Sequence, residues 1–203
     1  AESPLVLLSG HAPLSELGRG AFQEMAQADL AAPVTKASWT AADPSQLGAD
    51  IARALRIARS GRPGPVHLSL PFDVLEAKPE AGSPAGAAVP AGAPAQPLPD
   101  AAAQAVLAEL GRARRPLVLV GPVMACGRGR DARGRLAAAL GVPVICMESP
   151  RGVNDPCLGA YAEVLREADL LVLLGKQPDF TLRFGKAPAL AADCRFAVID
   201  PET

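Results

Sequence analysis

Arg62 is the cation whose surroundings are most suited to chemistry, because it stands in the tight corner Ser-Gly-Arg-Pro-Gly-Pro of residues 60–65. A guanidinium offers paired N–H donors that fit a phosphate or a carboxylate. The corner separates a helix-like stretch from a strand-like one, so it also has a purely structural interpretation, in which Arg62 lies in solvent. The chemical interpretation is a basic corner that meets an anionic ligand, and the corner alone leaves both open.

The two histidines are the next candidates. His11 directly follows the first strand-like run, where a catalytic or cofactor-contacting side chain could lie. The sequence identifies no partner for it, and a solvated loop histidine is the alternative. His67 falls inside a strand, which favours a structural role. No Ser/His/Asp triad, P-loop or HExxH motif occurs, so no residue of this chain is assigned as catalytic.

Three further candidates, Gly121, Gly175 and Asp200, each end an apolar run. Ligands of parallel sheets bind at the carboxyl ends of the strands, which is where these residues fall. The stretch GPVMACGRG is not the dinucleotide motif GxGxxG, because Pro122 follows the first glycine and the spacing differs. Asp200 could accept both hydroxyls of a ribose or cap a helix ahead of Pro201, and the sequence leaves these two roles open.

The elements that must position these residues are those of an α/β protein. In the first part of the chain the pattern predicts strands over residues 4–9, 33–36 and 65–71, and helices over 20–28 and from the N-cap Asp43 to Gly61. The helix over 20–28 would bury Phe22. From residue 100 onward the hydrophobic pattern predicts helices over 100–112, 129–140 and 160–166, and strands over 116–121, 142–146, 169–175 and 195–200. This alternation predicts parallel sheets flanked by helices.

A stretch rich in Pro, Ala and Gly divides the chain. Residues 78–98 contain hardly any large apolar side chain, so they cannot bury enough surface to fold and are predicted to form an extended linker. We therefore expect two domains, residues 1–77 and residues 99–203.

Composition excludes several classes of partner. The 20 Lys and Arg residues balance 21 Asp and Glu residues, which predicts neither a nucleic-acid partner nor an anionic membrane surface. The apolar runs are too short to cross a bilayer, and the amino terminus lacks a signal-peptide pattern. The four cysteines lack metal-ligand spacing, so no metal site is expected and a reducing, cytoplasmic location is predicted.

Several stretches taken together resemble the thiamine-diphosphate-dependent enzymes. In chain order they are SGHAPLSELGRGAFQE, APVTKASW, DPSQLGADIARALRIARSGRPGPVHLSLPFDV and RPLVLVGP. The chain is most similar to the acetolactate synthase branch, and the resemblance covers essentially its whole length. It implies that residues 1–77 are the later half of the domain that binds the aminopyrimidine of the cofactor. Residues 99–203 would be a central, Rossmann-like domain.

The resemblance also implies roles for single residues. Arg62 would contact a bound nucleotide, and Gln23 of the AFQE stretch would point toward the thiamine site. Lys36 would lie near the substrate channel, where His11 is also placed as a candidate.

In the central domain, Gly121, Gly175 and Asp200 match positions that approach a nucleotide, and the alternatives for this site are FAD, ADP or no ligand. The implied cofactors of the full-length enzyme are thiamine diphosphate and Mg²⁺. The implied assembly is a homodimer or homotetramer.

The implied reaction is carbon–carbon ligation, lysis or decarboxylation of a 2-keto acid or related carbonyl compound. The chain lacks the family's GDG…N metal motif and its activating glutamate, which implies an internal fragment that is inactive alone. The stretch GKQPDFTLRFGKAP is more similar to the acyl-CoA branch, so a 2-hydroxyacyl-CoA lyase or an oxalyl-CoA decarboxylase is an alternative. A non-catalytic nucleotide-binding or regulatory module on the same scaffold is another.

Overall fold

The computed structural model describes residues 2–78, 97–125, 127–149 and 151–201. They fall into two compact units, the first within residues 2–95 and the second from residue 96 onward. Of the predicted linker, residues 78–98, the part from 79 to 96 lies outside the described residues. Its extended character, and the assignment of the two units to named domains, therefore stay predictions.

The first unit is built on three parallel strands. Its elements are β1 (Leu5–His11), α1 (Gln27–Ala31), β2 (Ala37–Thr40), α2 (Leu47–Arg59), β3 (Pro65–Pro71) and α3 (Phe72–Glu76). The strands lie in the order β1, β3, β2, with Ser9 opposite Ser69 and Ser69 opposite Thr40. The three carboxyl ends therefore meet at one edge of the sheet.

Helix α2 forms where the sequence predicts it, and small side chains let it approach the sheet closely. Ala54 and Ala58 are buried in one apolar cluster with Val66 of β3. Asp43 accepts the backbone N–H of Ser45 at 2.8 Å, so it caps a short 3₁₀ turn that leads into the helix. Gly61, with a φ of +51°, supplies the left-handed residue just beyond the helix end.

The helix predicted over residues 20–28 is wrong. Residues 20–26 form a loop, and α1 begins only at Gln27. The carboxylate of Glu24 accepts backbone N–H groups of Gly18, Gly20 and Ala21, and so closes a loop instead of a helical turn. Phe22, which this helix would have buried, is 87% exposed.

The strand predicted over residues 33–36 is also misplaced. A 3₁₀ turn (Ala32–Val34) follows α1, and the hydroxyl of Thr35 donates to the carbonyl of Ala31 at 2.8 Å. The strand starts one residue after Lys36, at Ala37. Lys36 therefore lies at the entry of the strand instead of its exit.

The second unit alternates helices and strands as predicted. Its elements are α4 (Asp100–Arg112), β4 (Pro116–Val120), α5 (Gly127–Leu140), β5 (Val144–Cys146), α6 (Tyr161–Glu167), β6 (Leu170–Leu174) and β7 (Arg195–Ile199). The strands are parallel in the order β5, β4, β6, β7. No helix in the described ranges is both long and apolar enough to cross a membrane.

Both faces of the second sheet are covered, which confirms the predicted α/β class. Leu119 and Leu173 face a cluster that includes Leu165 of α6. Val120 and Val172 face the opposite cluster, which includes Leu110 of α4, and Leu136 and Leu140 of α5. Strands buried on both faces account for the continuous apolar runs in the sequence.

Candidate functional site

The carboxyl edge of the first sheet opens into a cavity of about 970 Å³. Its floor includes His11 and Thr40, the last residues of β1 and β2, and Gln27 at the start of α1. The loop of residues 12–26 supplies much of the remaining wall. A cavity that combines strand ends, a helix start and a loop is the usual form of a ligand site in α/β proteins.

His11 connects two parts of the loop in this wall, the residue after β1 and the residues before α1. Its side chain is nearly buried, with Nδ1 2.9 Å from the carbonyl of Ala12 and Nε2 3.0 Å from the carbonyl of Met25. Both partners are carbonyl oxygens, so the ring nitrogen that carries a proton donates to one of them, and the ring lies between the loop and the end of β1. No carboxylate is among the described hydrogen-bond partners of this ring.

A partly buried polar network adjoins the cavity and centres on Gln27. Its Oε1 accepts from the hydroxyls of Ser9 at 2.5 Å and Ser69 at 2.9 Å, and its Nε2 donates to the carbonyl of Gly10 at 2.8 Å. One amide thereby joins α1 to β1 and β3. It holds the start of α1 in place at the cavity floor.

His67 extends the network to β2. Its Nε2 lies 2.7 Å from the hydroxyl of Ser9 and its Nδ1 2.8 Å from that of Ser38. Burial lowers the pKa of His67, so the ring stays neutral near pH 7. Because the proton of Ser9 goes to Gln27, the Nε2–H of His67 donates to Ser9 and the hydroxyl of Ser38 donates to Nδ1.

Gln23 lies at the same edge of the sheet. A Cβ added to Gly10 would come 3.9 Å from its Oε1, so the side chain passes beside the end of β1. Its φ of +65° belongs to the loop that Glu24 closes. Backbone hydrogen bonds, that from Gly18 foremost, lower the pKa of Glu24 and keep it ionised as the anchor of this loop.

Lys36 and Arg62 lie at the opposite, amino edge of the first sheet. The ammonium of Lys36 donates to the carbonyls of Ile57 at 2.9 Å, Ser60 at 2.5 Å and Arg62 at 2.8 Å, and so caps the carboxyl end of α2. The guanidinium of Arg62 forms an ion pair with Glu2. Arg62 therefore meets an anion, but that anion is a carboxylate of its own chain.

The second unit has a comparable edge. The N–H of Gly121 donates to the carbonyl of Leu174 at 3.1 Å, and the N–H of Gly175 donates to that of Ile199 at 2.8 Å. Gly121, Gly175 and Asp200 consequently follow the ends of three adjacent strands, β4, β6 and β7. A Cβ at Gly175 would have no neighbour within 4 Å, so there is open space above this residue.

An ion pair between a buried lysine and a half-buried aspartate follows Gly175 directly. Lys176 is 6% exposed, and its ammonium lies 2.6 Å from the carboxylate of Asp179, which also accepts from the N–H and hydroxyl of Thr181. Burial opposes ionisation of Asp179, but the hydrogen bonds from Lys176 and Thr181 outweigh it and lower its pKa. The pair stabilises the turn after β6.

Comparison with known proteins gives a consistent picture. The chain is 30% identical over 209 residues to oxalyl-CoA decarboxylase of Escherichia coli K12, covering 98% of this chain and 37% of that protein. It is 35% identical over 197 residues to the acetolactate synthase large subunit of Parasynechococcus marenigrum, covering 87% of this chain and 31% of that one. It is 29% identical over 211 residues to 2-hydroxyacyl-CoA lyase of Oryza sativa subsp. japonica, covering 97% of this chain and 37% of that protein. No family model matches.

The chain belongs to the thiamine-diphosphate-dependent enzymes. It spans about a third of the length of these curated relatives, 31–37%. In this family member, the predicted site residues lie at three different sheet edges. They are the carboxyl edge of the first sheet (His11, Gln23), the amino edge of that sheet (Lys36, Arg62) and the carboxyl edge of the second sheet (Gly121, Gly175, Asp200). Their ligand-binding roles stay predictions.

The polar network centred on Gln27 was not predicted from the sequence of this family member. Ser9, Ser38 and Ser69 were not among the predicted site residues, although Ser69 is fully buried. The sequence did offer a signal, because polar residues recur at every second position in these strands. Parallel strands are usually buried on both faces, so such polar side chains are expected to pair with one another. The pair Lys176–Asp179 was missed as well, although a cation directly after a strand-ending glycine marks a candidate position.

Proposed function

We propose that the chain is part of a longer thiamine-diphosphate-dependent enzyme that forms or cleaves a carbon–carbon bond beside a carbonyl group. The observation that carries this proposal is the similarity of 87–98% of the chain to a decarboxylase, a synthase and a lyase. The exposed edge strand β1 supports the proposal that the enzyme is longer than this chain. Its Leu5, Leu7 and Leu8 are 56%, 51% and 48% exposed, and apolar edges of this kind are ordinarily covered.

The first unit would contribute to the site of the cofactor's aminopyrimidine. The cavity at its carboxyl edge offers apolar contacts from Leu14, Leu17 and Met25 for a ring, and polar groups from Gln27 and Glu24 for its edge. These residues would hold the ring and exclude water. When bound, thiamine diphosphate supplies the nucleophilic carbon that attacks the substrate carbonyl.

The second unit would hold a nucleotide, ADP or FAD, at its carboxyl edge. The open space above Gly175 lets a ligand approach the backbone, and Asp200 provides an acceptor for ribose hydroxyls. In the described ranges no three His, Cys, Asp or Glu side chains are grouped so that they could hold a metal ion. The residues that hold Mg²⁺ and the diphosphate would therefore belong to another part of the enzyme.

Two substrate classes compete. A 2-keto acid is the first, because acetolactate synthase is the relative with the highest identity of the three, 35%. An acyl-CoA is the second, because the two CoA-named relatives match 97–98% of the chain against 87%. Turnover of pyruvate, oxalyl-CoA and a 2-hydroxyacyl-CoA by the purified longer protein separates these classes.

We expect the 203-residue chain alone to release no CO₂ from pyruvate or oxalyl-CoA, even with thiamine diphosphate and Mg²⁺ supplied. The reason is that the GDG…N motif is absent from its sequence. The longer protein should release CO₂ from pyruvate or oxalyl-CoA in the same assay, or cleave a 2-hydroxyacyl-CoA in an assay of aldehyde formation. Turnover by the chain alone would contradict the fragment proposal. A longer protein that binds the cofactor and turns over none of them would instead favour a non-catalytic module.

Asp200→Ala is expected to weaken ADP binding to the 203-residue chain about tenfold or more, because it removes a charged acceptor of ribose hydroxyls. Isothermal titration calorimetry measures the affinity. Asp193→Ala is the matched control, since Asp193 is exposed just before β7 and carries the same charge. Unchanged ADP affinity in Asp200→Ala would contradict the ribose-binding role of Asp200 and favour its helix-capping role.

A further inference from the structure

A second cavity, of about 600 Å³, lies in the second unit on the α6 face of the sheet. Three cations line it, Arg166 from α6 and Arg183 and Lys186 from the turn that follows β6. We call it the cationic pocket. Its remaining lining consists of Asn154 and the small apolar residues Val153, Ala162, Ala187, Pro188 and Ala189. No carboxylate is among the described residues that line it, so three positive charges share one concave space.

These cations are not engaged by acids in the described part of the chain. Arg166 donates its Nε–H to the carbonyl of Ala162 at 3.2 Å, and the side chains of Arg183 and Lys186 make no hydrogen bond or ion pair with a described residue. Other cations of the second unit do pair with carboxylates, Arg115 with Glu167 for example. A group of like charges left without counterions is costly in a concavity unless an anion fills it.

The backbone that presents Arg183 is unusual. Arg183 (φ +52°, ψ +34°) and Phe184 (φ +56°, ψ +28°) are consecutive left-handed residues that are not glycine. Such conformations are disfavoured for L-residues and are retained where the surrounding structure imposes them, commonly at ligand sites.

The surrounding structure does impose this conformation. Leu182 is fully buried, and Asp179 holds both the N–H and the hydroxyl of Thr181. The N–H of Phe184 donates to the carbonyl of Asp179 at 2.9 Å. On the other side of the turn, Gly152 packs so closely against Thr181 that a Cβ would come within 2.2 Å of the Thr181 carbonyl oxygen. The position of Arg183 at the pocket is therefore fixed before any ligand binds.

We propose that the cationic pocket binds a small anion that carries at least two phosphate groups. Two guanidinium groups and an ammonium supply enough charge-assisted donors for such a ligand, and 600 Å³ accommodates one of nucleotide size. The small apolar residues suit the uncharged part of the ligand. None of Gly121, Gly175 and Asp200 lines this pocket, so the proposal is independent of the nucleotide site proposed above.

The test is an isothermal calorimetric titration of the 203-residue chain with inorganic tripolyphosphate in low-salt buffer. We expect saturable binding with one ligand per chain. Arg183→Gly should weaken it about tenfold or more, because one charge-assisted contact is lost. The same variant should not lower the unfolding temperature, since glycine adopts left-handed conformations readily. Lys186→Ala should weaken binding to a similar extent.

Arg135→Ala is the matched control. Arg135 is exposed on α5, which packs on the opposite face of the sheet, and its replacement changes the net charge by the same amount. It should change the affinity less than twofold. No saturable binding, an unchanged affinity in Arg183→Gly and Lys186→Ala, or an equal loss in Arg135→Ala would each overturn the proposal.

Discussion

Gly152→Ala is expected to destabilise the second unit by about 2–5 kcal/mol. The new Cβ would lie 2.2 Å from the carbonyl oxygen and 2.7 Å from the Cα of Thr181, and Gly152 has a φ of +60°. A left-handed alanine costs about 1–2 kcal/mol. Overpacking against a backbone that cannot move away adds about 1–3 kcal/mol. Because Asp179 and the buried Leu182 hold the opposing turn in place, the structure cannot relieve the overlap cheaply.

Gly141→Ala isolates the backbone part of this effect. Gly141, just beyond the end of α5, has a similar φ of +65°, but a Cβ there would meet no atom within 4 Å. Only the left-handed cost of about 1–2 kcal/mol should appear in this variant. Equal losses in the two variants would contradict the packing argument.

The chain provides its own probes for this comparison. Tyr161, its single tyrosine, is 3% exposed in the second unit, and Trp39, its single tryptophan, lies in the first. In urea unfolding, the Gly152→Ala variant should shift the tyrosine signal and leave the tryptophan signal unchanged.

The strands and helices of the second unit could be predicted because each gives an unambiguous local signal. A run such as residues 170–174 is apolar throughout, and a parallel sheet covered on both faces is the usual environment for that pattern. The α2–β3 segment could be predicted for a similar reason, since Asp43 and Gly61 mark the limits of its helix.

The loop before α1 could not be predicted, because its conformation depends on contacts between backbone and side chain. Glu24 reaches back to three N–H groups, and glycines at 18 and 20 make that curvature possible. A carboxylate inside a run of good helix formers is equally compatible with a helix. The local pattern therefore favoured the wrong alternative.

The location of Lys36 could not be predicted either. Its ammonium bonds carbonyls that stand 21, 24 and 26 residues further along the chain. Only the parallel pairing of β2 with β3 brings that helix end within its reach. The same limit applies to the cationic pocket, whose charges come from α6 and from a turn that is left-handed at two non-glycine residues.

Gln27→Leu is expected to destabilise the first unit by about 1–3 kcal/mol. Leucine fills a similar volume but leaves the hydroxyls of Ser9 and Ser69 and the carbonyl of Gly10 without the partner that Gln27 provides. Of these groups the hydroxyl of Ser69 is fully buried, and a buried polar group left unsatisfied costs about 1–3 kcal/mol. Trp39 fluorescence during urea unfolding reports the change, because this side chain belongs to the first unit. Gln23→Leu, at an exposed position of the adjacent loop, should change stability by less than about 0.5 kcal/mol.

A double-mutant cycle decides whether Gln27 acts through the network or merely fills space. Ser69→Ala removes one of the hydroxyls that Gln27→Leu would leave unpaired, so the two replacements should not be additive. We expect the double variant to be more stable, by about 1 kcal/mol, than the sum of the single effects predicts. If the costs simply add, the hydroxyl of Ser69 does not depend on Gln27, and the amide would not be what fixes α1 at the cavity floor. If they couple as expected, a residue of the candidate cofactor cavity is held in place by side chains from two strands, which no single stretch of the sequence displays.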